Sequence, residues 1–272
     1  MSIEKVTTEL KELTEEVKEI QSKKKWYKDV SSLVAVLALF FSFGTTVVTY
    51  SKAEDQEYIS SRIELRSIMQ RLTTLPVEHT EMLEKYKKMP IIASQLSAQL
   101  NSENLSLSNQ AAAVIQRIES TDAGRGKILD VEYLTVANAL SSSFQHEKAR
   151  NLMLEGYKRV RDATTEAGVL RSLASIELYF KDVKLAREYM KKARAVYENE
   201  VYKTDAELNK QITNATTEIQ WANMELALLN CVESNKHMQN ALKLTQTIPQ
   251  SPIRGQIESQ AKGISLNLKS CS

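Results

Sequence analysis

The stretch from Val30 to Tyr50 restricts the fold of this chain more than any other part of its sequence. Its 21 residues, VSSLVAVLALFFSFGTTVVTY, contain no ionisable side chain. A helix of this length spans about 30 Å, the hydrocarbon thickness of a bilayer. Because lipid offers no partners for backbone N–H and C=O groups, a segment that crosses it has to be helical. The stretch therefore predicts a single transmembrane helix over residues 30–50.

Two other interpretations of this stretch were weighed. A cleaved signal peptide has a shorter apolar core and ends at a small-residue cleavage site. This stretch begins about thirty residues into the chain, and no such site follows it. A buried core helix of this length would normally contain a charged residue. The transmembrane interpretation is therefore preferred to both.

The charges on either side of the stretch predict its orientation. Residues 23–28, KKKWYK, contain four lysines and an aromatic pair, whereas residues 51–58, SKAEDQEY, contain one lysine and three acidic residues. Loops rich in lysine stay in the cytoplasm, and tryptophan and tyrosine favour the membrane interface. We therefore expect a cytoplasmic N-terminus and a periplasmic or extracellular C-terminal domain, as in a protein of the bacterial inner membrane.

The composition excludes several classes of function. The 36 Lys and Arg residues balance the 34 Asp and Glu residues, so no nucleic-acid-binding surface is expected. With 7 Gly and 4 Pro, helix breakers are few, and the chain is predicted to be all-α. The three His and two Cys form no zinc motif, and no nucleophile elbow, phosphate loop or dinucleotide fingerprint occurs. We therefore expect no enzyme activity, metal or cofactor.

The cytoplasmic tail, residues 1–29, is predicted to contain a short heptad coiled coil. Apolar residues recur there at spacings of 3, 4, 3, 4 and 3, the pattern of a coiled-coil seam: Ile3, Val6, Leu10, Leu13, Val17 and Ile20. The seam is too short to be stable alone, but a membrane tether would raise the effective concentration of the tails. We therefore expect homo-oligomers. The alternatives are docking on another protein and an amphipathic helix on the membrane surface.

A second set of residues inside the uncharged stretch also indicates self-association. Small residues recur there at spacings of 4, 3, 4, 3 and 4, namely Ser31, Ala35, Ala38, Ser42, Thr45 and Thr49. Such a stripe lets helices approach closely in lipid. Tail and span would then associate together, unless the stripe is a chance arrangement of residues that are common in spans.

Residues 51–127 are predicted to form a helical stalk and linker. Large apolar residues are sparse here, which indicates a spacer more than a core. Pro76 and Pro90 predict helix boundaries or kinks, because proline lacks an N–H and clashes with the preceding turn. We expect a short helix from His79 to Met89 and a longer one from Leu105 to Glu119.

Residues 128–272 are predicted to form the main domain, from helices that occur in pairs. Their apolar spacing indicates helical segments separated by short turns. The expected helices are Val131–Ser143 with His146–Ala163, Ala167–Lys181 with Val183–Asn199, and Ala206–Cys231 with Glu233–Thr247, followed by a final helix, Ile253–Leu268.

The second pair carries the clearest internal pattern, and this pattern resembles the tetratricopeptide repeat. The matching residues are Leu173, Ala174, Asp182, Ala186, Tyr189, Met190 and Ala193 in the second pair, Tyr133, Val136, Ala137, Leu140, Ala149, Met153 and Gly156 in the first, and Trp221, Ala222, Met238, Ala241 and Pro249 in the third. The register departs from the family's 34 residues, since Ala149 and Ala186 lie 37 apart. Glu177 also occupies a position that is usually apolar in the family. A generic α-solenoid or an irregular helical bundle is the alternative.

The resemblance implies a right-handed stack of about three helix pairs plus a final helix. The first helices of such a stack line a concave groove for a peptide or a partner protein. By register, five residues would face this groove: Asn138, Ser142, Arg171, Ser175 and Asn223. All five are also ordinary residue types for a solvated helix surface, and that interpretation stays open.

Two cysteines fall at the ends of predicted helices. Cys231 ends the first helix of the third pair, and Cys271 follows the final helix. In a stack these helices lie side by side, and a location outside the cytoplasm permits a disulfide. A bridge would close a loop of about 40 residues and stabilise the fold by about 4 kcal/mol. Two free thiols are the alternative.

Together these features predict a membrane-anchored scaffold or adaptor that presents a protein-binding helical domain outside the cytoplasm. In architecture it is similar to bacterial inner-membrane proteins with periplasmic tetratricopeptide domains. The alternative is a signalling component that relays binding by the outer domain to a cytoplasmic partner through the tail.

Overall fold

The computed structural model describes residues 8, 11–16, 18, 30–202 and 207–268. In these residues the protein is all-α and contains no strand, which confirms the predicted fold class. The chain divides into two compact units, Met1–Ile59 and Ser60–Ser272, which are described separately.

The first unit contains the beginning of helix α1 (Val30–Lys85). Within the part of the chain that the structure describes, no helix is both long enough and apolar enough to cross a bilayer. Leu39, Phe40 and Ser42 are the only residues between 30 and 51 whose side chains are described, and all three are exposed.

The predicted self-association residues are described only in part. Leu13 lies in the helical segment 11–16 and is exposed. The other tail positions lie outside the described residues: Ile3, Val6, Leu10, Val17 and Ile20. The same holds for the side chains of Ser31, Ala35, Ala38, Thr45 and Thr49, whose backbone is helical.

The second unit begins with a hairpin in which the end of α1 packs antiparallel on α2 (Pro90–Ser120). Arg71 Nε donates to Glu103 Oε1 over 2.6 Å, and Arg117 Nε donates to Ser61 Oγ over 2.9 Å. The hairpin buries an apolar strip on both helices, formed by Leu65, Ile68, Leu72 and Leu75 with Ala111, Val114, Ile115 and Ile118. The predicted stalk is therefore a packed part of the second unit from Ser60 onward.

Two predictions about this hairpin were wrong. Helix α1 continues through Pro76 to Lys85, so no separate helix from His79 to Met89 exists. The apolar strip extends to Leu75, directly before Pro76, and His79 Nε2 lies 3.0 Å from Ser97 Oγ of α2 after it, so packing on α2 holds the helix together despite the lost hydrogen bond. Helix α2 starts at Pro90, well before Leu105, because the first turn of a helix does not need the N–H that proline lacks.

Among the described residues that follow the hairpin there are seven α-helices, and their ends differ by up to six residues from the expected pairs. They are α3 (Asp130–Ser142) and α4 (His146–Tyr157), α5 (Ala163–Tyr179) and α6 (Val183–Ala195), α7 (Glu207–Ala227) and α8 (Cys231–Thr245), and α9 (Pro252–Leu268). Helix α5 starts earlier than expected because the Asp162 side chain accepts a hydrogen bond from Thr165 N and caps it.

The same turn joins the two helices of each pair. Its central residue, which is Phe144, Lys181 or Leu229, has a positive φ between 58° and 62°. The next backbone N–H donates to a carbonyl five residues earlier over 2.8–3.0 Å in all three turns, as in a Schellman motif. The turns are 37 and 48 residues apart, and two short 3₁₀ turns, Val196–Glu198 and Glu200–Tyr202, lie in the longer interval.

Small buried residues recur at fixed distances from these turns. They let the helices approach closely, and methionines fill the remaining space. The equivalent sets are Ala137, Ala174 and Ala222; Ala149, Ala186 and Ser234; Met153, Met190 and Met238; and Gly156, Ala193 and Ala241.

The pairs stack through their first helices. Helix α3 packs on α5, and α5 packs on α7. Each second helix contacts its own first helix and the first helix of the following pair, and neighbouring second helices are less closely packed against each other. The first helices therefore form the inner face of the stack. Helix α9 packs on α7 and α8 and covers their apolar cluster with Ile257, Ala261 and Ile264.

Gly156 marks a close approach between α3 and α4. A Cβ added there would lie 2.7 Å from Tyr133 Cβ, which cannot move without moving the backbone. We expect Gly156→Ala to lower the free energy of unfolding by about 1–3 kcal/mol. In the control Gly263→Ala, on α9, nothing lies within 4 Å of the new Cβ, and a gain of about 0.5–1 kcal/mol is expected. Urea unfolding of both variants checks this, and equal shifts would contradict it.

Candidate functional site

The inner face carries the residues that were predicted to line a groove. Asn138, Ser175 and Asn223 are exposed and lie six residues before the central residue of their turns, so they occupy equivalent positions on three stacked helices. Ser142 is exposed on α3, and its hydroxyl donates to Asn138 O over 3.0 Å. The inner face is thus lined at these positions by short, uncharged polar side chains.

Arg171 differs from these neighbours because it is largely buried between α5 and α7. Its Nη1 donates to Thr217 Oγ1 over 3.1 Å, and its Nε is buried without a hydrogen-bond partner. No carboxylate forms an ion pair with it in the described part of the chain. Burial lowers the pKa of Arg171 to about 10. Arg171 is therefore a cation held at the inner face without a counterion.

The hydrogen-bond partner of Arg171 is polar, and no acidic side chain bonds to it within the described residues. Thr217 donates its own hydroxyl to Thr213 O over 2.8 Å, so it can only accept from the guanidinium. One turn away on α7, Asn214 Oδ1 is buried and also lacks a hydrogen-bond partner. A guanidinium with a free donor binds carboxylate or phosphate oxygens through directed hydrogen bonds. An anionic group is therefore the chemistry that this position can accept.

The other buried charges hold the stack together. Arg150 Nε on α4 donates to Glu177 Oε1 on α5 over 2.5 Å. Arg187 on α6 makes two hydrogen bonds of 2.7 Å to the carboxylate of Glu225 on α7. Both carboxylates are buried, and each bond joins a second helix to the first helix of the following pair. We call these two contacts the Arg–Glu clamps.

The sequence analysis missed the role of these glutamates, although a signal was present. Each glutamate lies three residues after a buried alanine of a first helix, Ala174 or Ala222. Each arginine directly follows the first buried alanine of a second helix. The departure from the family pattern at Glu177 is therefore repeated at Glu225, with a matching arginine in the preceding pair.

A third buried carboxylate lies beneath a cavity on the outer side. Glu218 accepts hydrogen bonds from His237 Nδ1 over 2.7 Å and Asn240 Nδ2 over 3.2 Å. Arg194 Nε approaches the other oxygen at 3.0 Å as an ion pair without hydrogen-bond geometry. His237 stacks on Trp221 at 4.1 Å, and both line a cavity of about 440 Å³ between α6 and α8. Positive and negative side chains are mixed around it.

Cys231 is disulfide-bonded, and it begins α8 where the sequence predicted the end of a first helix. The turn at Leu229 ends α7 at Ala227 and places the cysteine in the following helix. Cys271 lies outside the described residues, so the pairing of the two stays a prediction. Over the described ranges, no group of three or more His, Cys, Asp and Glu side chains could hold a metal ion.

The fold and this inner face define the described part of the chain as an all-α protein of stacked helix pairs. Comparisons with protein-family models, with curated proteins and with solved structures find no match for the chain.

Proposed function

We propose that this chain is a membrane-anchored scaffold or adaptor, and that a partner protein binds to the inner face of its helix pairs. The observation that carries this proposal is Arg171, a largely buried guanidinium whose Nε is unbonded and which has no counterion among the described residues. Keeping such a charge costs stability unless a ligand supplies the missing negative group. The binding energy of an acidic partner would offset this cost.

The shape of the inner face favours an extended peptide as the bound element. Asn138, Ser175 and Asn223 repeat on neighbouring helices, which pack about 10 Å apart. An extended chain covers this spacing in about three residues. Amide and hydroxyl side chains at such intervals can pair with a peptide backbone, while Arg171 selects an acidic side chain or a C-terminal carboxylate.

The repeated turn and the repeated small residues support a tetratricopeptide-like stack. Alanine, methionine and alanine, or close equivalents, recur in all three second helices at the same spacing from the turn. The intervals of 37 and 48 residues and the Arg–Glu clamps depart from that family. We therefore propose the family's mode of binding for this chain, without the family's strict repeat length.

Anchoring in a membrane rests on the uncharged sequence between Val30 and Tyr50 and on the lysines before it. Exposed Leu39 and Phe40 are compatible with contact with lipid. In this arrangement the helix pairs lie outside the cytoplasm, and tail and span bring copies together. Protease added to intact spheroplasts should therefore cut a tag at the C-terminus without prior lysis.

Capture of partners from a membrane extract tests the adaptor function. The full chain is solubilised in mild detergent and compared with Arg171→Met and with Arg161→Met, a control that removes an exposed arginine between α4 and α5. Wild type and control should retain the same protein partner, and Arg171→Met should retain at least tenfold less. An acidic peptide from that partner should compete with it. Equal capture by all three chains would refute the proposed site.

A further inference from the structure

The three turns place large apolar side chains in solvent along one edge of the stack. Phe144 is 76% exposed, and Leu229 is 83% exposed at the equivalent position of the third turn. The middle turn has Lys181 at this position, preceded by Tyr179 and Phe180, which are 57% and 44% exposed. Val232, next to the third turn, is 78% exposed. We call this row, formed by Phe144, Tyr179, Phe180, Leu229 and Val232, the turn edge.

The turn edge is unusual because the backbone there disfavours the side chains it carries. Phe144 and Leu229 have φ values of 60° and 58°, in the left-handed region where glycine or asparagine is favoured. A large apolar residue at such a position adds backbone strain and also exposes apolar surface to water. Strained residues of this kind occur where a surface makes contacts with another molecule.

The first two turns share one continuous aromatic surface. The Phe144 ring lies 6.0 Å from the His146 ring in an edge-on arrangement. The His146 ring lies 3.6 Å from the Tyr179 ring, which in turn lies 5.7 Å from the Phe180 ring. The aromatic rings of the first and second turns therefore form one connected patch. The third turn follows the second in the stack.

We propose that the turn edge is the interface with a second copy of this chain. At about 200 Å² for a fully exposed large side chain, the five exposed fractions amount to about 680 Å² per copy, near the roughly 800 Å² per partner of a stable interface. The polar residues around them would add the remainder.

The charges of the turn edge are compatible with pairing of like surfaces. Residues 144–148, 179–184 and 229–236 contain four lysines and three acidic residues, so neither sign dominates. Two identical patches can face each other across a two-fold axis only if no strong single-sign field repels them. A strongly charged partner would find no complementary field on this edge.

The order of the turns fixes how two copies would meet. A two-fold axis through the middle turn exchanges the first and third turns, because they lie on opposite sides of it. Phe144 of one copy then faces Leu229 and Val232 of the other, and Phe180 faces its own equivalent. This interface lies on a different surface from Arg171, and it does not depend on the tail or on the uncharged stretch.

Site-specific photo-cross-linking in the full chain tests this arrangement. A benzophenone side chain at position 144 should cross-link to residues near 229 of another copy, and one at position 180 to residues near 180. Chains labelled with light and with heavy nitrogen are mixed before irradiation. A cross-linked peptide pair that contains both labels then joins two different copies. A benzophenone at position 131 is the control, because Val131 is 53% exposed and lies at the start of α3, at the other end of that helix from the turn at Phe144. Links from position 144 to other proteins or to lipid, or none, would overturn the proposal.

A paired substitution provides a second readout. Asparagine tolerates the left-handed region, so Phe144→Asn with Leu229→Asn should fold at least as well as the wild type. The same variant should weaken the link between copies from position 180 by at least tenfold, while Val131→Asn leaves it unchanged. An unchanged link in the double variant would reject the interface. Loss of Arg171-dependent capture in this variant would instead indicate that the two surfaces are coupled.

Discussion

Replacement of Glu225 by alanine is expected to lower the free energy of unfolding by about 2–3 kcal/mol, because it removes the acceptor of the buried Trp221 Nε1, of Asn230 Nδ2 and of the partly exposed Arg187. The carboxylate of Glu225 is buried and accepts two hydrogen bonds from Arg187, one from Trp221 Nε1 over 3.2 Å and one from Asn230 Nδ2 over 3.0 Å. These bonds hold α7 to α6 and to the turn before α8. Chemical denaturation of the full chain in detergent measures the loss.

A surface glutamate provides the matched control for this substitution. Glu155 pairs with Lys158 on the same helix at 2.6 Å, and both side chains are exposed. Exposed pairs of this kind contribute about 0.5 kcal/mol or less, so Glu155→Ala should be nearly neutral. If both variants lost the same free energy, the clamp at Glu225 would have no special role.

The pH dependence of the Glu225 effect follows from its hydrogen bonds. Burial alone would raise the pKa of Glu225, but the bonds from Arg187, Trp221 and Asn230 outweigh it and lower the pKa below the ordinary 4.5. A carboxylate with a lowered pKa stabilises the fold above the pKa of the unfolded chain. The difference between wild type and Glu225→Ala should therefore be constant near neutral pH and shrink once the pH falls below about 4.5 and through the lowered pKa.

Replacement of Arg171 by methionine should have the opposite effect on stability. The substitution removes a charge that burial disfavours and retains a side chain of similar length at the α5–α7 contact. We expect a gain of about 1–2 kcal/mol in the free energy of unfolding, as is found when buried charges are exchanged for apolar groups. The melting temperature should rise by about 2–4 °C per kcal/mol for a unit of this size. A fall in stability would show that Arg171 is a structural residue.

Capture by the same variant distinguishes a functional residue from a structural one. Loss of capture in a chain that has become more stable cannot be ascribed to unfolding. Arg171→Lys adds a further comparison, because lysine keeps the charge and loses the fork of donors. We expect this variant to bind less tightly than wild type and more tightly than Arg171→Met.

Helix positions could be predicted from the sequence because apolar spacing and short polar turns mark them directly. The ends of the helices depend on local capping. Asp162 caps α5, which therefore starts earlier than the predicted Ala167. The prediction at Pro76 was wrong because the buried apolar strip on α1 and α2 stabilises the helix by more than the loss of one backbone hydrogen bond destabilises it. Such a balance depends on the packing partner on α2, which lies 18 to 32 residues away in the sequence on either side of Pro76.

The position of Arg171 on a first helix could be predicted, but its surroundings could not. Only the folded chain shows that its Nε has no hydrogen-bond partner and that, among the described residues, no carboxylate forms an ion pair with it. Glu177 was noted only as a departure from the family pattern, and the role of both Glu177 and Glu225 was missed because glutamate on a helix normally faces water. Their burial depends on arginines of the preceding pair, 27 and 38 residues away.

The Arg–Glu clamps have a mechanical consequence. They connect the first pair to the second and the second to the third, so a pull along the stack is passed from pair to pair in series. Contacts in series carry the same force, so the clamp with one hydrogen bond, Arg150–Glu177, would open before the clamp with two, Arg187–Glu225.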